Sequence, residues 1–495
     1  MTLSRASTLS RPLARAVAVS TSTQLAARGV DLLVNAITSI AVLRYLGPAG
    51  FGDFILVVTI TGLTGLLADL GLPKVAVRRV AQEPSTAGPV IGTVTLMRLI
   101  LCFGSLAVGQ GVLTVMGAAA DVHLAALVAT TTVIAESLLS VTVVFHVAVR
   151  QQNEAAVRLT ANVVKLAVVA LLVFAHAGLV ALVAATNANL LIAAGLAWWV
   201  SAHSFGLRPS IDKTLVPELL RDVLPVAPIM LVGVIYLKLG TLMVALLAAR
   251  SALGIYGAAY QPIEYLFLAS AVIVGVLFPL AARAHARDTL QFISIYQLGI
   301  DVLVAVILPA SVILVMFGRP ICRLLYGSGF GGAATPVMVL GAALVPMAVN
   351  AWQGFVLVAA GKASVAVRYL LLAVAVQGLA DAVLVPAAGV VGAAWGVLGS
   401  SILLVVMSTA AVYHAERAPL AAGRLVQVCS ANGLLTGVLV ILTVLGLAWL
   451  PTLAIGSLTY PLLLVLCRVT AIRDVRSIFR SPQHGLAPAA SEVTL

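Results

Sequence analysis

Residues Gln377–Trp395 read QGLADAVLVPAAGVVGAAW. Two apolar runs flank Pro386 and Gly389, and one acid, Asp381, lies in the first run. Proline presets one backbone angle and glycine frees another, so VPAAG predicts a tight turn between two helices. Gly392-Ala393-Ala394 then lets the second helix start packed closely on its neighbour. The stretch is an apolar hairpin, and the rest of the chain decides what surrounds it.

The chain has 495 residues, 62% hydrophobic and only 9% charged, with a mean hydropathy of +1.14. Soluble domains carry roughly 25% charged residues. The composition therefore predicts an integral membrane protein. Alanine, valine, leucine and glycine dominate, which suits close helix packing. The two-residue alternation of a membrane barrel is absent. Cys102, Cys322, Cys429 and Cys467 are scattered, so neither a disulfide framework nor a metal site is expected. The N-terminal MTLSRASTLSRPLARAVAVS is basic and lacks a compact apolar core or a clear cleavage site, so it reads as a retained cytoplasmic tail.

A transmembrane helix needs about 20 mostly apolar residues. Fourteen stretches qualify: 22–46, 54–72, 90–117, 121–148, 157–177, 179–201, 223–249, 254–281, 294–317, 333–359, 365–386, 388–412, 424–447 and 450–470. With the N-terminus cytoplasmic, 21 of the 29 Lys and Arg fall in inner segments and four in outer loops. That asymmetry is the positive-inside signature, and both termini come out cytoplasmic. It also accounts for the net charge of +12 through anionic lipid rather than nucleic acid.

A weak repeat supports two halves. Phe51-Gly52 and Pro73…Arg78 recur as Tyr256-Gly257 and Pro279…Arg283, offset by about 205 residues. The predicted fold is an all-α integral membrane protein of about 14 transmembrane helices, with two pseudo-symmetric six-helix lobes and two C-terminal helices. The expected parts are a tail 1–21, an N-lobe 22–201, a cytoplasmic linker 202–222, a C-lobe 223–412, spans 13–14 at 424–470, and a tail 471–495.

Ionisable groups at bilayer depth are costly, so each one is a functional candidate. On span 1, Gln24, Arg28, Asp31, Asn35, Thr38 and Ser39 fall in an arc of about 100°. Such a stripe suits the wall of a wet cavity; an Arg28–Asp31 intrahelical pair is the plainer alternative. Span 3 aligns Arg98 with Thr95, Cys102, Ser105 and Gly109, and span 5 aligns Arg158, Asn162 and Lys165. Snorkelling to headgroups is the alternative for Arg98 and Lys165. Lys238 lies mid-span, where snorkelling is hard. Arg28, Asn35, Arg98, Lys165 and Lys238 are therefore the candidate substrate-binding residues, in a cavity that favours anions such as phosphate. Asp31, Glu136, Glu264 and Asp301 are the ion-coupling candidates, with helix–helix hydrogen bonds or ion pairs as the alternative. Asp69, at the end of span 2, reads as a surface residue. No nucleotide motif or zinc spacing is present, so neither a cofactor nor a metal is expected. No catalytic residues are assigned, and an enzyme is not the expected class.

Three stretches carry a resemblance to a known family. The opening hairpin resembles the "N…N..LIP..G..GAA" signature of polysaccharide exporters and oligosaccharide flippases, members of the multidrug/oligosaccharidyl-lipid/polysaccharide superfamily. Gln377 and Asp381 stand where that pattern has Asn. RYLGPAGFGDF (44–54) resembles the family's "R.LGP..fG". YLKLGTLMVALLAARSALGIYGAAYQPIE (236–264) resembles its "Y.R.D...L.......VG.Y..AY...E", with Lys238 in place of Arg and Gly240 in place of Asp. The resemblance implies a two-lobe transporter in a bacterial cytoplasmic membrane. It would flip a polyprenyl-diphosphate-linked glycan by alternating access, with cavity cations on the diphosphate and span 1 polar groups on sugars. Membrane lipids and other glycan-assembly membrane proteins are the implied partners. A Na⁺- or H⁺-coupled small-molecule antiporter of the same fold is the alternative.

Overall fold

The computed structural model describes residues 6–143, 151–205, 209–224, 227–420 and 422–467, with side chains from 29 onward except at 84, 151–158, 204–205, 229 and 422. Among the described residues the chain is helical and without strands. The helices are α1 Ala6–Asp69, α2 Leu72–Gln82, α3 Ala87–Val115, α4 Ala120–Leu138, α5 Gln151–Phe174, α6 Leu179–Phe205 and α7 Leu215–Val223. There follow α8 Ala227–Leu247, α9 Arg250–His285, α10 Thr289–Tyr326, α11 Ala334–Ala359, α12 Ala363–Glu416, α13 Ala422–Val444 and α14 Trp449–Leu466.

Eleven of the described segments are long and apolar enough to cross a membrane, and Leu159–Phe174 is a shorter apolar one. Two of the long helices are broken inside. In α1 Gly47 has φ 67°, and in α12 Gly389 has φ 60°. Only glycine enters that region freely. α1 and α12 are thus each two helical segments joined at a glycine, while the eleven segments and the shorter helix are fewer than the fourteen spans expected from the sequence. At the Gly389 break the chain doubles back so closely that a Cβ on Gly392 would collide with the Leu384 carbonyl. The hairpin is thus as tight as VPAAG predicts.

The chain forms two compact units. The first comprises Met1–Ala258, Arg323–Ala333 and Gln377–Ala393. Its core gathers Leu72, Val75, Ile91, Val94, Leu139, Ala194, Ala197 and Leu219. The second comprises Ala259–Cys322, Ala334–Val376 and Ala394–Leu495. It is built around Phe292, Tyr296 and Trp352, all fully buried. The Trp352 indole donates to the Tyr296 carbonyl at 2.9 Å, and its ring lies where any side chain on Gly299 would go. Buried Gln353 donates to Thr409 Oγ1 at 2.7 Å and accepts from Ser408, so its polar atoms are satisfied within the apolar core.

Residues 209–224, of which 209–222 read as cytoplasmic linker in the sequence, are an integral part of the first unit. Ser210 donates its N–H to the Gly88 carbonyl, and its backbone leaves no space for a Cβ on Gly92. Thr93 Oγ1 bonds both the N–H and the carbonyl of Asp212, at 2.9 and 3.2 Å. α7 is amphipathic: Leu219 and Val223 are buried, while Glu218 and Asp222 meet the basic face of α2. Arg79 bridges Glu218 at 2.8 Å and Asp222 at 2.9 Å, and Arg78 reaches Asp222 at 3.0 Å. The hydrogen bond from Arg79, reinforced by both arginine charges, holds the Asp222 carboxyl below its ordinary range. A depressed carboxyl contributes stability above its unfolded value, about pH 3.9, and that contribution is lost as pH falls below it. The clasp should therefore hold at neutral pH and loosen in acid. Asp222→Asn should raise tryptic cleavage at Lys213 or Arg221 at pH 7 by at most about fivefold, since exposed pairs are weak. The wild type should approach the variant's rate below pH 4, with an acid-active protease as the probe.

Candidate functional site

Helical spacing puts Asp31, Asn35 and Thr38 on one side of α1, and Asn162 and Lys165 on one side of α5. In the structure these faces meet, and α6 adds Asn189. Asn162 donates to the Asp31 carboxylate, and the Lys165 ammonium donates to the Asn35 side-chain oxygen. Asn189 donates to Asn162 Oδ1 at 2.7 Å, and Asn35 donates back to the Asp31 carbonyl at 2.8 Å. Asn162, Lys165 and Asn189 are all buried. Asp31 is the acidic neighbour of the Lys165 ammonium. The cluster thus holds one acid, one base and three amides inside apolar helices. Its hydrogen-bonding capacity is not used up: among the described residues Asn189 Oδ1 is buried without a partner. An unmet acceptor can receive a hydroxyl, and the cation beside it a phosphate oxygen.

The other candidates are placed differently. Arg28 has its side chain outside the described residues. Arg98 is buried and committed within its unit: it pairs with Asp69 at 2.8 Å and donates to Ser140 Oγ at 2.8 Å and the Glu136 carbonyl at 2.5 Å. Asp69, expected at the surface, is half-buried in that pair, because the end of α1 packs between α3 and α4. Glu136 itself is half-buried on α4, and Lys238 and Glu264 are half-buried on α8 and α9. Asp301 is 2% exposed and lies 3.5 Å from Arg424 of α13. One turn further along α10, the Tyr460 hydroxyl donates to the Ala305 carbonyl at 2.6 Å, so both contacts fasten the C-terminal helices to α10. A pocket of about the size of one water molecule in the first unit is lined by Thr61, Thr64, Ser105, Gln110 and Thr130 and contains none of the charged candidates. Among the described residues no group of three or more His, Cys, Asp or Glu is spaced to hold a metal.

The stretch 44–54 acts as a joint within the first unit. Arg44 donates to the carbonyls of Leu324 and Leu325, capping the end of α10. Gly47 turns the chain into Pro48, whose carbonyl excludes any side chain on Gly254. Gly52 faces the Arg250 carbonyl in the same way. Asp53 lies 3.7 Å from Arg250, and Phe51 packs edge-on to Phe330 at 6.2 Å. The helices approach backbone to backbone here because both glycines lack a Cβ.

Asn189 was missed by the sequence reading, although the paired asparagines of AATNANLL (184–191) inside an apolar run were a visible signal.

A family model described as "Polysaccharide biosynthesis protein" matches residues 13–285. Solved structures with the same fold include "Lipid II flippase MurJ, inward closed conformation", at 11% identity and a TM-score of 0.73, covering 92% of this chain and 99% of that one. A multidrug resistance MATE family transporter of the MOP superfamily, in an inward-facing conformation, aligns at 14% identity and a TM-score of 0.63, over 80% of this chain and 99% of its own. A MOP superfamily transporter from Pyrococcus furiosus, titled for the reverse polarity of its binding pocket, aligns at 12% identity and a TM-score of 0.56, over 82% and 95%. No curated protein sequence matches the chain.

Proposed function

The chain belongs to the polysaccharide biosynthesis protein family, and from that premise we propose that it flips a polyprenyl-diphosphate-linked glycan across the bacterial cytoplasmic membrane by alternating access. It is a multi-pass membrane protein with a flippase and transporter fold. The reading is carried by the α1–α5–α6 cluster. Lipid does not tolerate such polarity, so a polar substrate or water must meet it. Asn35, Asn189 and Asp31 offer sites for sugar hydroxyls, and Lys165, with Arg28 and Lys238, offers charge for the diphosphate. Arg98 serves as a strut joining α1, α3 and α4. The moving bodies would be the lobes 22–201 and 223–412, with 424–470 as an appendage and both termini cytoplasmic. The similar MurJ fold is titled a lipid II flippase, which fits a lipid-linked cargo. Other membrane proteins of glycan assembly would be its partners.

The test is mass spectrometry of lipid-linked intermediates after depletion, with rescue by wild type or by Lys165→Ala/Lys238→Ala. One polyprenyl-diphosphate glycan should accumulate, and only wild type should clear it. An unchanged lipid pool would overturn the reading. It would favour the Na⁺- or H⁺-coupled small-molecule antiporter, for which the Asp31–Asn162 hydrogen bond is the supporting observation, with Glu136, Glu264 and Asp301 as further acids.

A further inference from the structure

The acids Asp31, Asp53, Asp69 and Asp301 of the membrane-embedded helices each face a cation or a close amide donor. Asp381 does not. It lies on α12, about two turns before the Gly389 break. It is 0% exposed. Its Oδ1 has no hydrogen-bond partner, and its Oδ2 is reached by the Gln377 amide only at 3.5 Å. Among the described residues it makes no ion pair. The segment 377–393 has no other charged residue. Gly378, one turn earlier, lies against Leu239 of α8, whose one charged residue is Lys238. Asp381 makes no ion pair with that lysine.

An ionised carboxylate sealed away from water with one long neutral hydrogen bond is among the costliest arrangements a protein can hold. The neutral acid fits the same place with far less penalty. It brings no bare charge into the packed segment, and its carbonyl oxygen still accepts weakly from Gln377.

We propose that Asp381 is a proton-binding site, loaded in the conformation described here and emptied only when this segment is opened to water. Loading joins one proton from water to the carboxylate as a neutral O–H; release returns that proton to water and leaves a charge that the packed segment disfavours. Proton release is therefore linked to the change of conformation, because a ligand shifts an equilibrium by its differential affinity for the two states. The proposal does not depend on which molecule is carried.

The test is infrared spectroscopy of the full-length protein in lipid vesicles at neutral pH, in H₂O and D₂O. Wild type should show a deuterium-sensitive C=O stretch of a protonated carboxyl. The band should disappear in Asp381→Asn, shift in frequency in Asp381→Glu, and persist in Glu136→Gln. A wild-type spectrum without the band at neutral pH would overturn the proposal, as would a band indifferent to both changes at 381. If the Asn variant does not fold, the Asp381→Glu shift decides alone, since that variant keeps the acid.

Discussion

Alanine at Gly52 or at Gly254 is expected to abolish transport and to destabilise the protein by about 3 kcal/mol, near the top of the usual range for overpacking. At each site the new methyl would overlap a backbone carbonyl, that of Arg250 or of Pro48, rather than a side chain that could rotate away. Relief would require the start of α9 to move off the Gly47 bend, pulling apart Asp53 and Arg250. Gly62→Ala on the same helix is the control, because nothing lies within 4 Å of a Cβ there. It should be neutral or slightly stabilising, since alanine favours a helix over glycine by about 1 kcal/mol. Thermal unfolding of the purified variants, together with clearance of the accumulated lipid, checks both parts.

Lys165→Met should have an effect of comparable size by a different route. The substitution keeps the stem and removes the ammonium, leaving Asp31, among the described residues, with the Asn162 amide as its side-chain donor. Leaving the buried Asn35 acceptor unpaired and the Asp31 carboxylate without its cationic neighbour costs about 1–3 kcal/mol. Adding Asp31→Asn removes the stranded charge, so the double variant should recover at least half of the lost stability. It should not recover transport, because the cation proposed to meet the diphosphate is still missing. A double-mutant cycle in unfolding free energy measures the coupling. Additive losses would mean that the two groups do not interact. Recovery of transport by the double variant would mean that charge balance, not the ammonium, is what the cluster supplies.

Much of the fold was legible in the chain because lipid imposes a one-dimensional rule: a helix must be long and apolar enough to span. Helical periodicity also placed Asp31 with Asn35 and Asn162 with Lys165 on common faces. It could not show that those two faces touch, since contact between helices is set by packing and not by spacing. Arg98 illustrates the limit. Its position at bilayer depth suggested a role toward an anion, yet its guanidinium is taken by Asp69, a residue distant in sequence that reads as surface. The docking of α7 was equally hidden. LVPELLRDV looks like a charged connector until the complementary charges of α2 are set beside it. The Gly52–Arg250 and Gly254–Pro48 contacts lie within the stretches that carry the family resemblance, but spacing along the chain does not say that each glycine faces the carbonyl of the other stretch.

The clasp between α2 and residues 209–224 bears on how the protein is made. Gly88, Gly92, Thr93, Arg78 and Arg79, which bind that segment, are all synthesised before it. Nothing downstream of residue 224 is needed for these contacts. The first seven helices can therefore close their own seam while the ribosome is still extending the chain, domain by domain from the N-terminus. The later helices then emerge beside a partner whose exit segment is already fastened and cannot wander across the nascent bundle.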